Sequence, residues 1–162
     1  MIDAYLKIEG IAGESEDDKH RGWIEVSNVL YAINQPRAET VSTAGGMTSG
    51  RADLYPITFR KLADVSSPVL LQTCAMGKTL SKAVFEFLRS DGNGKPIPYF
   101  KIELENLMIA NITPDSGNGG IISEQVHLAY AKIKWSYTRQ SIRGGAQGNT
   151  SGGWDCSANK VC

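Results

Sequence analysis

Alternation of apolar and polar residues with a period of two runs through most of the 162-residue chain and constrains its fold more than any other feature. Near the N-terminus, Ala4, Leu6 and Ile8 alternate with polar neighbours, and later Phe100 and Ile102 share a face in the same way. This pattern is typical of strands with one buried face. It predicts seven strands, at about 3–9, 23–35, 55–62, 80–89, 99–105, 107–113 and 123–139.

The last predicted strand changes its apolar face partway along. Val126 and Leu128 share one face, whereas Ile133 and Trp135 fall on the other. A bulge near Tyr130 would re-aim the side chains. Coverage of both faces of the strand would explain the pattern equally well, and the sequence leaves both explanations open.

One segment has the spacing of a helix. Ser66 and Pro68 provide a cap and a proline at the first helical position, and Gly77 provides a C-terminal cap. These signals predict a short helix over about 67–76. Seven strands and one helix indicate a mainly β fold, either a barrel or a tight sandwich of two packed sheets, with the helix at one side.

Two segments lack this alternation. Residues 37–51 form a Gly-rich connection that is too long for a hairpin turn, and such loops are usually functional or disordered. Residues 144–162 begin with a stretch rich in Gly, Ser and Asn that is typical of a flexible linker. We therefore expect a barrel domain over 1–143, containing the extended loop, and a flexible C-terminal tail in which Trp154 docks back onto the fold.

The composition argues against several classes of protein. Lys plus Arg and Asp plus Glu each number 17, so the formal net charge is zero, whereas nucleic-acid-binding domains usually carry a basic patch. No apolar run approaches the roughly 18 residues of a membrane span. The N-terminus lacks the basic and apolar regions of a signal peptide. We expect synthesis in the cytoplasm and, if the protein is exported, a route that ignores N-terminal signals.

The residues that often carry chemistry form no recognisable site in the sequence. Gly77–Thr79 resembles the end of a P-loop, but the glycine that opens that motif is missing. Asp17, Asp18 and His20 belong to a charged turn, for which a solvated loop is the better interpretation than a metal site. His127 stands alone in a strand, without a nucleophile motif. We predict no catalytic, cofactor or metal site, and a protein that is not an enzyme.

Three cysteines occur, at positions 74, 156 and 162. An odd and low number does not make a disulfide framework. We expect free thiols in a reducing cytoplasm. Under other conditions Cys156 and Cys162 could pair with each other or across subunits.

Short motifs occur in a fixed order along nearly the whole chain. They are D-A-Y-L-K-I and G-E-S within Asp3–Ser15, W-I-E-V at Trp23–Val26, Y-F-x-I-x-L-E-N-L at Tyr99–Leu107, E-Q-V-x-L-x-Y at Glu124–Tyr130 and G-W-D at Gly153–Asp155. Their order and spacing resemble the Hcp family, the tube-forming proteins of bacterial type VI secretion systems.

This resemblance implies a compact β-barrel with one helix that assembles into a homo-hexameric ring. Rings of this family stack into a hollow tube inside a contractile sheath, travel with a spike protein, and carry effector proteins in the lumen. The loop that reaches toward a neighbouring ring corresponds here to positions Arg37, Thr40, Gly45, Gly46, Gly50 and Arg51. No cofactor, nucleic acid or membrane insertion is implied.

The second predicted strand is unusually apolar on both faces. One face goes to the core of the subunit, so the other is available to a lumen or a subunit interface. We name Ile24, Val26 and Leu30 as candidates for that surface.

Two other functions also fit a small β fold of this kind. One is a phage-like tail tube protein, and the other is a monomeric β-barrel module that binds a ligand in a closed apolar cavity.

Overall fold

Strands dominate the fold. A computed structural model describes residues 4–37, 50–90, 92–141 and 146–162. Within these residues the elements are β1 (Ala4–Ile8), β2 (Ile24–Leu30), β3 (Ile33–Asn34), β4 (Asp53–Leu54), β5 (Ile57–Leu62), α1 (Ser67–Met76), β6 (Thr79–Ser90), β7 (Pro96–Asn118), β8 (Ile121–Gln140), β9 (Ala146–Asp155) and β10 (Lys160–Val161). The predicted mainly β fold with one short helix is confirmed.

Strand β8 closes the sheet into a barrel because it pairs with both β5 and β7. The closed order is β8–β5–β2–β1–β6–β7, with antiparallel pairing at each step, which gives a barrel of six strands. Strands β9 and β10 extend the sheet outward from β8, while β3 and β4 form a separate two-stranded ribbon. Closure removes the exposed edges that an open sheet would present.

The alternating apolar residues fill the interior of the barrel. Phe59 and Phe85 meet edge to face in its centre, with 5.7 Å between ring centroids. The largest fully buried side chains are Phe59, Phe85, Leu6, Ile8, Ile24, Ile57, Leu70, Ile102, Leu104, Leu107, Leu128 and Ile133. Burial of this kind supplies the main stabilisation of the fold.

The helix agrees with its predicted bounds. It begins after Ser66, contains Pro68 in its first turn, and ends at Gly77, whose left-handed backbone (φ 63°) closes the last turn. Leu70 anchors it in the core. The prediction that Ser66 caps the helix with its side chain is wrong. Its hydroxyl donates to the Asp64 carboxylate and forms no cap with the described helix residues.

The second predicted strand is shorter than expected. It ends at Leu30, and a short strand resumes at Ile33. Within β2, Asn28 has a left-handed backbone (φ 51°) where the pairing with β5 shifts register. Asparagine tolerates this conformation better than most residues, and a bulge there bends the strand.

The hairpin of β7 and β8 is longer than predicted. The segments expected at 99–105 and 107–113 are one strand, and most of the loop expected at 114–120 belongs to it. The turn itself is formed by Gly119 and Gly120, both with positive φ. Asn106, also left-handed at φ 51°, lies inside β7 where its apolar face changes.

The change of face in β8 occurs without an extra residue in β8 near Tyr130, since the nearest register shift, between Ile109 and Asn111, lies in β7. The pairs formed by Leu104 with Ile133 and by Leu107 with Tyr130 keep one register, so both strands change face together. At this point β8 exchanges neighbours, from β5 in its first part to β9 in its second. The strand thus stays paired with β7 through both parts, while its other neighbour changes.

The prediction of a flexible C-terminal tail is wrong for most of that segment. Strand β9 pairs with β8, with Gly152 opposite Trp135 and Trp154 opposite Ile133, and β10 pairs back onto β9. The hydrogen bonds between paired strands come from the backbone, so a segment rich in Gly and Ser can form them. Its small residues lie opposite large residues of β8. The expected docking of Trp154 is confirmed, because it packs against the core.

Candidate functional site

The extended loop leaves and rejoins the fold at a structured base, which we define as Arg37, Gly50 and Arg51. The backbone N–H of Gly50 donates to the carbonyl of Pro36 at 3.0 Å, which holds the two ends of the loop together. Arg51 Nη2 donates to the carbonyl of Cys156 at 2.5 Å. The loop base is therefore anchored to the C-terminal hairpin. The other predicted loop residues, Thr40, Gly45 and Gly46, lie outside the described residues.

A groove of about 590 Å³ lies beside the loop base. Its wall includes the ribbon residue Asp53, and Tyr130 donates from its hydroxyl to the carbonyl of Tyr55 at 3.0 Å. Burial raises the pKa of the Tyr130 phenol and that of the Cys156 thiol. Both groups therefore stay neutral at pH 7, and a neutral thiol is a poor nucleophile. The groove offers polar and aromatic contacts and no activated nucleophile among these residues.

The structure separates the three residues predicted for a lumen or interface. Ile24 and Val26 lie in the barrel core, at 0% and 1% exposure, so they cannot contribute to such a surface. Only Leu30 is available, at 69% exposure. The bulge at Asn28 accounts for this difference, because it interrupts the alternation between Val26 and Leu30.

Exposed apolar side chains gather at both ends of β5. We define the loop end by Leu30, Ile33 and Tyr55, which surround the start of β5. We define the helix end by Leu62, Val65 and Ile122, at its other end, where the Ala63 N–H donates to the Ile122 carbonyl at 2.9 Å. Large apolar side chains that cluster on a surface are typical of contact sites.

The predicted solvated turn around His20 contains a buried residue. His20 is 1% exposed, so that prediction is wrong for its side chain. Its Nδ1 lies 2.7 Å from Asp17 Oδ2, and its Nε2 lies 2.6 Å from Glu86 Oε2. Asp17 is close in sequence, but Glu86 is reached only through the pairing of β1 with β6, which sets Glu86 opposite Tyr5. No local pattern in the sequence indicates that contact.

Two further features are absent from the part of the chain that the structure describes. No group of three or more His, Cys, Asp or Glu side chains within residues 4–37, 50–90, 92–141 and 146–162 could hold a metal ion. Across the same residues, no helix is long and apolar enough to cross a membrane.

Comparison with known proteins places the fold in a family. The model of the family described as "Type VI secretion system effector, Hcp" matches residues 5–137, which run from the second residue of β1 through β7, including the helix, and cover most of β8. The crystal structure of Hcp1 from Salmonella typhimurium is 31% identical, covers 100% of both chains and superposes with a TM-score of 0.78.

Two curated relatives come from Pseudomonas aeruginosa. Protein hcp1 is 27% identical over 160 residues, with 98% of this chain and 97% of the relative covered. The major exported protein is 26% identical over 144 residues, with 85% and 81% covered. The chain therefore belongs to the Hcp family of secreted type VI secretion system proteins.

Proposed function

We propose that six copies of this protein form a ring and that the rings stack into the hollow tube of a type VI secretion system. The observation that carries the proposal is the family match over residues 5–137, which spans the closed barrel, the helix and the extended loop together. A ring requires a head-to-tail interface whose rotation closes, so that each subunit uses two different surfaces.

The two ends of the subunit support stacking in one direction. The loop end carries the loop base and exposed apolar side chains, and the helix end exposes a different apolar set. About 17 Å of strand separates them, given a rise of roughly 3.3 Å per residue along β5. Two unlike surfaces at opposite ends suit an open head-to-tail stack, which buries each against the other.

The proposed tube acts as a carrier. Its partners are further rings of the same protein, effector proteins held in the lumen, a spike protein at the tip and a contractile sheath around it. The subunit is made in the cytoplasm and leaves the cell with the tube. The chemistry of the groove is consistent with this role, since a carrier needs contact surfaces and no reactive group.

The packing of the barrel counts against the alternative of a monomeric ligand-binding module. Such a module needs an interior cavity, whereas Phe59, Phe85, Ile102 and Leu128 fill the centre of this barrel at 0% exposure. Small barrels filled by side chains leave no room for a ligand. A phage-like tail tube protein would assemble by the same physical principle as a secretion tube subunit. The match to the family model favours the secretion system.

Deletion of Thr40–Ser49 tests the role of the extended loop. We expect the variant to form six-fold rings in negative-stain electron micrographs, to stack less than the full chain, and to be exported less. Gly152→Ala is the matched control, because a methyl group there meets no atom within 4 Å. Unchanged stacking and export by the deletion variant would contradict the loop role. Absence of rings from the full chain would contradict the proposed assembly itself.

A further inference from the structure

The β1–β2 turn, which we define as residues 9–23, folds back on itself through backbone hydrogen bonds. The Gly13 N–H donates to the Gly22 carbonyl at 2.8 Å, the Gly22 N–H donates to the Ser15 carbonyl at 2.8 Å, and the Ser15 N–H donates to the Trp23 carbonyl at 3.0 Å. These bonds give the turn its shape, but they do not attach it to the barrel wall.

His20 makes that attachment. Its ring stacks on Tyr5 of β1, with centroids 4.5 Å apart and planes 8° apart, and the ring of Trp23 meets it edge-on at 4.7 Å. Its two nitrogens reach Asp17 of the turn and Glu86 of β6. One buried imidazole thus joins the turn to two strands of the barrel.

The two short contacts restrict the number of protons on the ring. An ionised carboxylate only accepts hydrogen bonds, and a neutral imidazole has a single N–H to donate. The ring lies 2.6 and 2.7 Å from two carboxyl groups. Both contacts are therefore hydrogen bonds in only two cases. Either each ring nitrogen carries a proton, or one nitrogen and one carboxyl group do. Removal of that extra proton leaves two acceptors facing each other in a buried place, which is costly.

We propose that Asp17, His20 and Glu86 form a proton-dependent latch, which holds the β1–β2 turn on the barrel while both ring nitrogens donate and loosens the turn when the ring loses a proton. The latch is a property of the subunit and does not depend on the proposed assembly.

The groups around the ring set the sign of the response in acid. The hydrogen bond from His20 is the main reason that the pKa of Asp17 is lowered. A lowered pKa in the folded state means that the Asp17 carboxylate stabilises the fold above its unfolded pKa, and that this stabilisation is lost as the pH falls. The pKa of Tyr5 is raised, first by burial and then by Asp17 and Glu25, so the phenol stays neutral.

Other charged groups lie nearby on each element packed against the ring. Lys101 of β7 is the cross-strand partner of Glu86, and Glu25 of β2 is that of Tyr5. The turn itself contributes Glu14, Glu16, Asp18, Lys19 and Arg21. The turn has further attachments, since Glu14 Oε1 accepts a hydrogen bond from the Val65 N–H at 2.9 Å and the Glu9 N–H donates to the Lys82 carbonyl of β6 at 3.0 Å. An open latch therefore leaves the turn tethered at the helix end.

The test follows ring protonation and turn protection in the same protein across pH. Histidine labelled with ¹⁵N reports the protons on each ring nitrogen by NMR, and hydrogen exchange measured by mass spectrometry reports protection of residues 9–23 after correction for intrinsic rates. We expect protection of the turn to fall by about tenfold or more in the same pH step in which the His20 ring loses a proton, because a charge-assisted hydrogen bond is lost. A turn that stays protected through that step would overturn the proposal, and this result needs no variant.

Two variants sharpen the result. In Glu86→Gln the amide can either accept from the ring or donate to it, so we expect the turn to stay protected whichever form the ring takes. His127→Gln removes the only other histidine and leaves the latch intact, so it should reproduce the wild-type coupling. Coupling that persists unchanged in Glu86→Gln, or disappears in His127→Gln, would contradict the latch.

Discussion

Lys61 of β5 and Glu124 of β8 form an ion pair of 2.9 Å inside the barrel wall, with side chains that are 0% and 1% exposed. They are direct cross-strand partners. Lys61 Nζ also donates to the Ser67 hydroxyl at 3.0 Å and pairs with Asp64 at 3.0 Å, while the Ser67 hydroxyl donates to Glu124. The network therefore joins the first turn of the helix to two strands, and each buried charge has several partners.

Lys61→Met tests the cost of breaking this pair. It leaves the Glu124 carboxylate buried without its main counter-charge, so we expect a loss of about 3–5 kcal/mol in the free energy of unfolding, measured by urea denaturation. The double variant Lys61→Met with Glu124→Leu should recover much of that loss. Lys132→Met, at the partly exposed pair with Asp155, is the control and should cost no more than about 1 kcal/mol. Equal effects at the two lysines would contradict the role given to burial.

Ile24 and Leu30 belong to the same strand but face different surroundings. Ile24→Ala removes a core side chain, and we expect it to lower the free energy of unfolding by about 2–5 kcal/mol. Leu30→Ala changes an exposed position and should alter this quantity by about 0.5 kcal/mol or less. Urea denaturation at one protomer concentration compares them. A Leu30 variant as destabilised as the Ile24 variant would mean that Leu30 is buried in the folded subunit.

Among the glycines that the structure describes, Gly13 has the least room for a side chain. A Cβ atom there would lie 2.4 Å from the Trp23 carbonyl oxygen and 2.8 Å from the Ile24 Cα, both of which are backbone atoms. We expect Gly13→Ala to destabilise the fold by about 1–3 kcal/mol through overpacking, with a matching fall in melting temperature. Gly152→Ala, in open space, is the control. Comparable melting temperatures for both variants would contradict the close approach.

Asp155 makes the C-terminal hairpin sensitive to acid. Its Oδ1 accepts hydrogen bonds from the Ala158 and Ser157 N–H groups, which lower its pKa. The carboxylate therefore stabilises the hairpin above the unfolded pKa of about 3.9, and this contribution is lost as the pH falls below that value. Hydrogen exchange of residues 156–162 should lose protection below about pH 4 in the wild type. Asp155→Ala should show weak protection at every pH, and a wild-type step in that variant would contradict the assignment.

Local signals predicted the helix and most of the core. Pro68 and Gly77 act within a few residues of the helix ends, so these local signals in the sequence indicate its bounds, although Ser66 does not cap it with its side chain. Alternation in β1, β5 and β6 identified the buried face of each strand for the same reason. The resemblance to the Hcp family, rather than periodicity, distinguished a barrel from a sandwich.

Pairing between residues far apart in the chain explains the structural features that local sequence patterns did not predict. The composition of residues 146–155 is typical of a linker, but the partner strand β8 makes it a strand. One left-handed residue, Asn28, decides that Val26 points inward and Leu30 does not. The partner of His20 is 66 residues away, so burial of that ring is visible only once β1 and β6 are in register.

The solution mass of the purified protein, measured by light scattering under reducing conditions, tests the proposed assembly most directly. Six subunits of 17.6 kDa give 6 × 17.6, or about 106 kDa, and this is the mass that a closed ring predicts. A mass of 17.6 kDa at every workable concentration would contradict the ring, and with it the account of this chain as a tube subunit.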